Sequence, residues 1–114
     1  MASFVVDYFE LPARHAGESG AFFEKAFGWS LQPYGPDYVE LRGAGTLGGV
    51  NGDAKDQSKS PLVGIRTDDI AAAEAAVTAA GGMITRKTYT YPGGKRFFFR
   101  EPGGNELMVY QPAE

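Results

Sequence analysis

The chain has 114 residues, 43% hydrophobic and 22% charged, which is the length and mix of one globular domain able to bury a core. It has no cysteine, so disulfide frameworks, thiolate metal sites and thiol nucleophiles are excluded. With 11 basic and 14 acidic residues the net charge is −3, which gives no footing for a nucleic-acid partner. No membrane partner is expected either: the longest apolar-rich stretch, Ala71–Ala80, is mostly alanine and is broken by Glu74 and Thr78. The expected home is the cytoplasm.

The opening run Phe4–Leu11 is β-branched and aromatic and reads as a strand stopped by Pro12. Its alternation puts Val5, Asp7, Phe9 and Leu11 on one face and Phe4, Val6, Tyr8 and Glu10 on the other. Ser19–Phe27 reads as a helix with a stripe of Phe22, Phe23, Ala26 and Phe27, ended by Gly28. Trp29–Gln32 is extended, Tyr38–Arg42 is a strand, Gly43-Ala44-Gly45 makes a hairpin and Thr46–Val50 returns as a strand. Polar residues around 53–60 have linker composition.

The same plan then begins again. Leu62–Thr67 is a strand, and Asp68 is the expected N-cap of an alanine-rich helix with Ile70, Ala73, Val77 and Ala80 on its apolar side. Gly81-Gly82 ends that helix. Met83–Tyr91 is a strand, Pro92-Gly93-Gly94 a hairpin, Arg96–Arg100 a strand, Pro102-Gly103-Gly104 a turn and Glu106–Tyr110 the final strand. Superposing Phe27-Gly28-Trp29 on Ala80-Gly81-Gly82 relates the halves by 53 residues. The sequence thus predicts an α+β domain of two βαβββ modules, residues 1–52 and 61–114, joined by a linker at 53–60. One helix covers one face of a four-stranded unit. Two units side by side are expected to make a curved mixed sheet with helices outside and an inner groove, where small ligands bind.

Three stretches resemble the vicinal oxygen chelate superfamily of glyoxalase I, bleomycin-resistance proteins and extradiol dioxygenases. They are Phe9-Glu10-Leu11-Pro12 followed by Ala21–Trp29, Thr67–Ile70 through Gly81-Gly82, and the turn Arg100-Glu101-Pro102-Gly103-Gly104-Asn105-Glu106-Leu107. The resemblance spans nearly the whole chain and implies the fold just described, commonly as a homodimer. In metal-using members His, Glu or Gln on the first and last strand of each module hold a divalent metal. Counting from the motifs, those positions fall at Val6, Leu62 and Met108 and within Thr46–Val50, none of which supplies a carboxylate or imidazole. The resemblance therefore implies a groove with no cofactor, and a divalent metal only if an atypical site exists.

Glu10 and Glu106 share faces with Val6 and Met108, so both are candidates to line the groove, as a cation site or a general base. An ion pair between Glu10 and Arg66, which take corresponding places in the two modules, is the plainer reading. Tyr8 and Tyr110, on the same faces, offer flat apolar rings with a hydroxyl. Arg86, Lys87, Lys95, Arg96 and Arg100 concentrate positive charge on one hairpin, either a charge-blunted strand edge or an anchor for an anion. The single histidine, His15, sits in a polar loop, and Gly48-Gly49 reads as a turn or bulge. The expected function is binding of a small, partly aromatic or amphipathic molecule among Val6, Tyr8, Glu10, Leu62, Arg66, Glu106, Met108 and Tyr110. The alternative is a lyase, isomerase or dioxygenase of the same family acting around Glu10 and Glu106.

Overall fold

The computed structural model describes residues 2–114. Ten elements follow in chain order: β1 (Phe4–Pro12), α1 (Ala16–Phe27), β2 (Ser30–Pro33), β3 (Tyr38–Arg42), β4 (Leu47–Asn51), β5 (Leu62–Thr67), α2 (Ile70–Ala79), β6 (Met83–Tyr91), β7 (Gly94–Arg100) and β8 (Glu106–Pro112). The strand–helix–three-strand order therefore occurs twice, as the sequence predicts. The chain divides into two compact units, one of residues 8–62 and the other of residues 1–7 with 63–114, and β1 contributes to both.

In the unit of residues 8–62 the strands lie in the order β2-β3-β4-β1. β1 pairs parallel with β4, while β4–β3 and β3–β2 are antiparallel. Inward positions on alternate residues, Val39, Leu41 and Val50, pack with Ala16 of α1 and are joined by Phe9, Phe23, Trp29 and Leu31. Phe23 stacks on Trp29 with ring centroids 5.4 Å apart, so two large rings fill the layer between helix and sheet.

α1 starts three residues earlier than Ser19. The His15 carbonyl already accepts from Ser19 N, and Ala16, 2% exposed, is a core residue that needs the first turn in place. At the other end Gly28 takes φ 74° and its N–H closes on the Glu24 carbonyl, a left-handed cap that a side chain would strain.

The second unit repeats the topology. β5 pairs parallel with β8, and β8–β7 and β7–β6 are antiparallel. Its core is Ile70, Ala73, Phe97, Phe99 and Val109, with Ile65, Val77, Ile84 and Leu107 against it. The cap of α2 is Asp69 and not Asp68. Asp69 has extended backbone angles and accepts from Ala72 N at 3.0 Å, whereas Asp68 Oδ1 accepts from Ser3 N at 2.9 Å. Both acids suit a cap, and the backbone leaving Thr67 decides which is used: Thr67 Oγ1 accepts from Asp69 N at 3.1 Å. Gln111 completes the helix start, accepting from Ile70 N at 2.9 Å. Ala80, expected on the apolar side, instead caps the C-terminus and is exposed.

Candidate functional site

α1 covers one side of its unit's sheet, and the other side carries Tyr8 and Glu10 from β1, Tyr38 and Glu40 from β3, and Gly49 from β4. Register puts Glu10 and Glu40 on either side of Gly49. Glu10 is 2% exposed, although no helix lies over that face. Tyr38 donates its hydroxyl proton to Glu10 Oε1 at 3.0 Å, and a second, short hydroxyl contact joins Tyr38 to Tyr8. Tyr38 has one proton to give, so Tyr8 must be the donor in that contact. The chain of hydroxyls runs Tyr8 to Tyr38 to Glu10.

The two glycines of β4 make room for this arrangement. A Cβ at Gly49 would overlap the Tyr38 and Tyr8 hydroxyls, and one at Gly48 would strike the Phe9 ring on the opposite face. Gly48-Gly49 is therefore not a turn or bulge. It is regular strand kept bare so that aromatic groups approach from both sides.

Burial first, and then the Glu10 carboxylate and Tyr8, push the Tyr38 phenol far above its ordinary value of 10.0. Burial and the hydrogen bond to Asp7 raise Tyr110 as well, with Arg66 opposing. A raised phenol favours the neutral, folded form: its contribution is complete below pH 10.0, the unfolded value, and is lost as pH rises beyond it. Absorbance at 295 nm during alkaline titration should therefore show these two of the six tyrosines ionising only together with loss of the fold. Ionisation of all six before any unfolding would contradict the geometry.

In the second unit a row of side chains crosses four strands on the face opposite α2. Arg66 stands beside Tyr110, Tyr110 beside Arg96, and Arg96 beside Tyr89. Tyr110 donates to Asp7 Oδ1 at 2.5 Å, and Arg66 Nη1 lies 3.9 Å from Asp7 Oδ2. The acid facing Arg66 is thus Asp7, not the Glu10 selected by comparing the modules, because Asp7 lies beside both Arg66 and Tyr110. Arg96 is 6% exposed. Its Nε donates to the Tyr89 hydroxyl at 2.5 Å, its Nη1 reaches Met108 Sδ at 3.8 Å, and its guanidinium lies 4.5 Å from the Tyr91 ring centroid. The Arg86 guanidinium lies over the Tyr89 ring, 3.7 Å from its centroid. The basic hairpin therefore splits: Arg86, Lys87, Lys95 and Arg100 are exposed, whereas Arg96 turns inward among rings.

Of the remaining candidates, Glu106 accepts from Thr85 Oγ1 at 2.7 Å at an exposed position. Val6 is 64% exposed and Leu62 1% exposed, and both are hydrocarbon. Val6, Leu62 and Met108 bring no oxygen or nitrogen donor, and Thr46–Val50 brings neither carboxylate nor imidazole. This donor set does not fit a divalent metal held in the family's manner. Among the described residues no three His, Cys, Asp or Glu side chains gather as a metal-binding group. Sequence reasoning missed Tyr38, Asp7 and the inward turn of Arg96. Two adjacent glycines inside a strand were the available signal for Tyr38, since bare backbone there implies that something approaches it closely.

The sequence profile of the Glyoxalase/Bleomycin resistance protein/Dioxygenase superfamily matches residues 5–109. No curated protein sequence matches the chain. Among solved structures, it is similar to a superfamily member from Vibrio splendidus 12B01 at 18% identity and TM-score 0.68, covering 99% of this chain and 100% of the other. It is similar to a Legionella pneumophila chain described as an NAD-dependent benzaldehyde dehydrogenase at 9% identity and TM-score 0.81, covering 94% and 99%. It is also similar to a Streptomyces coelicolor methylmalonyl-CoA epimerase in complex with 2-nitronate-propionyl-CoA at 12% identity and TM-score 0.67, covering 98% and 100%. Likeness at such identity concerns the fold, and proteins described by such different activities share it. No helix among the described residues is long and apolar enough to cross a membrane.

Proposed function

Because the chain belongs to the glyoxalase/bleomycin resistance protein/dioxygenase superfamily, we propose that it binds a small, partly aromatic or amphipathic molecule on a helix-free sheet face, using no metal of its own. One observation carries the reading: two charged side chains, Glu10 at 2% and Arg96 at 6% exposure, are buried on faces that no helix covers. Burying charge is costly, and such groups are held in place mainly where recognition or chemistry uses them. Around them stand rings and hydroxyls, Tyr8 and Tyr38 in one unit, and Tyr89, Tyr91 and Tyr110 in the other, which suit a flat ligand with a polar edge. The epimerase complex with 2-nitronate-propionyl-CoA supports the same direction, since there a protein of this fold holds a small organic ligand. Self-association as a homodimer belongs to this reading and is supported by Phe22 and Phe27, 60% and 61% exposed on α1.

A second reading is enzymatic, and the hydroxyl chain favours it. A ligand proton accepted by the Tyr8 oxygen would release the Tyr8 proton to Tyr38 and the Tyr38 proton to Glu10, so the carboxylate acts as a base without touching the ligand.

A thermal-shift series with benzoate, benzyl alcohol and phenol, combined with metal analysis of the purified protein, tests the proposal. A probe at tenfold over its Kd stabilises by about 1.4 kcal/mol, which is roughly 4 °C or more in a domain of this size. The gain should vanish in Arg96→Met for a ligand held on the face of the second unit, and in Tyr8→Phe for one held on the face of the unit of residues 8–62. No shift from any probe at millimolar concentration would overturn the binding reading. One equivalent of divalent metal, lost in Glu10→Gln, would replace it with the metal-dependent alternative.

A further inference from the structure

On the opposite side of the second unit, between α2 and the sheet, lies a slit of about 270 Å³. Its walls are hydrocarbon: Ala76, Val77 and Ala80 from the C-terminal half of the helix and its cap, Phe99 and Val109 from the sheet, and Phe4 at 52% exposure beside them. The space has a clear origin in the sequence. Six of the ten residues of α2 are alanine. In the other unit the same layer is filled by Phe23 stacked on Trp29. A methyl group cannot fill the helix–sheet space that an aromatic ring fills, so room is left beside Ala76 and Ala80 although Val77 between them packs against the core.

Of the two charged residues at this end of the slit, Arg100 turns its Nη1 to the Gly104 carbonyl at 2.9 Å and is not a wall residue. Glu101 is the slit's ionisable wall residue. Its carboxylate accepts from Gly103 N at 2.5 Å, Asn105 N at 3.1 Å and Asn105 Nδ2 at 2.5 Å, contacts that hold it ionised and below the ordinary carboxylate range. Two of these contacts fall on Oε2 and one on Oε1, so of the roughly four acceptor positions of a carboxylate one, on Oε1, is left. The slit also meets the C-terminal end of α2 at Ala80, where the helix dipole is negative, and the last turn of α2 has no basic residue to offset it.

From the cavity, its hydrocarbon walls and this negative mouth, we infer a second ligand site that takes a small amphipathic cation, an alkyl- or arylalkyl-ammonium compound. The hydrocarbon body fills the slit and the ammonium group lies at Glu101 and the helix end. At about 30 Å³ per small heavy-atom group, 270 Å³ holds a body of about nine such groups. This site lies on the helix side of the sheet and does not depend on the function proposed above.

Calorimetric titration of the full chain with hexylammonium, hexanol and hexanoate tests it. Hexylammonium should bind about fivefold or more tightly than hexanol, and hexanoate more weakly than either. Ala76→Leu, a change at an exposed position that places side-chain carbons in the slit, should reduce hexylammonium binding at least tenfold while the circular dichroism spectrum stays unchanged. Glu101→Gln should bring hexylammonium down to the affinity of hexanol. If that variant fails to fold, the same question is read from salt, since 0.5 M sodium chloride should weaken hexylammonium and spare hexanol. Equal binding of all three probes, or a preference for hexanoate, overturns the assignment of a cation. No binding of hexylammonium, or binding that Ala76→Leu leaves unaltered, overturns the site.

Discussion

Gly49→Ala is expected to destabilise the protein by about 3 kcal/mol or more, far beyond the usual loss for adding one methyl group to a strand. The added carbon would occupy the place of the Tyr38 hydroxyl and crowd that of Tyr8. Tyr38 cannot yield without breaking its bond to Glu10, a carboxylate that is 2% exposed, and Tyr8 cannot yield without losing its contact with Tyr38. Two costs therefore combine: overpacking at about 1–3 kcal/mol, and the loss of one donor to a buried carboxylate at about 1–3 kcal/mol. The midpoint and slope of urea unfolding measure the sum. The attribution to Tyr38 is tested by a double-mutant cycle. In a Tyr38→Leu background the ring that Gly49→Ala strikes is gone, so the same substitution should cost much less. Full additivity of the two changes would mean that the close approach is not the source.

Gly104→Ala makes a useful contrast. That residue has φ 98° but nothing within 4 Å of an added Cβ, so only backbone strain opposes the change. About 1 kcal/mol is the expected scale there. Equal losses at Gly49 and Gly104 would remove any reason to treat the β4 glycines as a cradle for side chains.

Periodicity made the strands legible, whereas the expected stripe of α1 fails in part: Phe22, Ala26 and Phe27 are exposed, and it is Ala16, Gly20 and Phe23 that turn toward the sheet. Tyr38–Arg42, Leu62–Thr67 and Met83–Tyr91 appear where the pattern put them. Boundaries slipped where two residues of similar chemistry compete, as at Asp68 and Asp69, or where a tertiary contact decides, as at Ala16. The site was less legible for a different reason. Alternation tells which face Glu10 or Tyr110 occupies, but not which neighbour on the next strand is close enough to bond, and that is fixed by register. Tyr110 and Arg66 come together because β5 and β8 pair with these two residues opposite each other. Asp7 then joins them from β1. Internal symmetry put Arg66 in roughly the place of Glu10 and suggested that the two pair, and two residues of β1 separate that expectation from the acid actually used. Arg96 was hidden by composition, since a basic hairpin reads as surface until pairing with Tyr110 and Tyr89 turns one of its members inward.

Phe97→Ala is expected to cost about 4 kcal/mol, the middle of the range for a buried phenylalanine. Phe97, Phe98 and Phe99 are consecutive and all buried, at 0%, 7% and 8% exposure, yet they serve different layers. Phe97 and Phe99 lie in the core under α2, with centroids 6.2 Å apart, while Phe98 stacks against Tyr89 on the other face. The loss at Phe97 should be large because the cost of a cavity depends on how far its surroundings can relax into it. Here the facing helix contributes mainly alanine, and alanine has no rotamers with which to refill a hole. Phe98→Ala should cost less, since Arg86, Tyr89 and Tyr91 on that face have flexible or movable side chains able to close over the gap. Against a typical total stability of about 5–15 kcal/mol, the first substitution brings the protein close to its unfolding threshold and the second does not. Urea midpoints for the two variants measured side by side give the ordering. A larger loss at Phe98 than at Phe97 would mean that the aromatic face opposite α2 is the true core of this unit, and the case for that face as a ligand surface would fall with it.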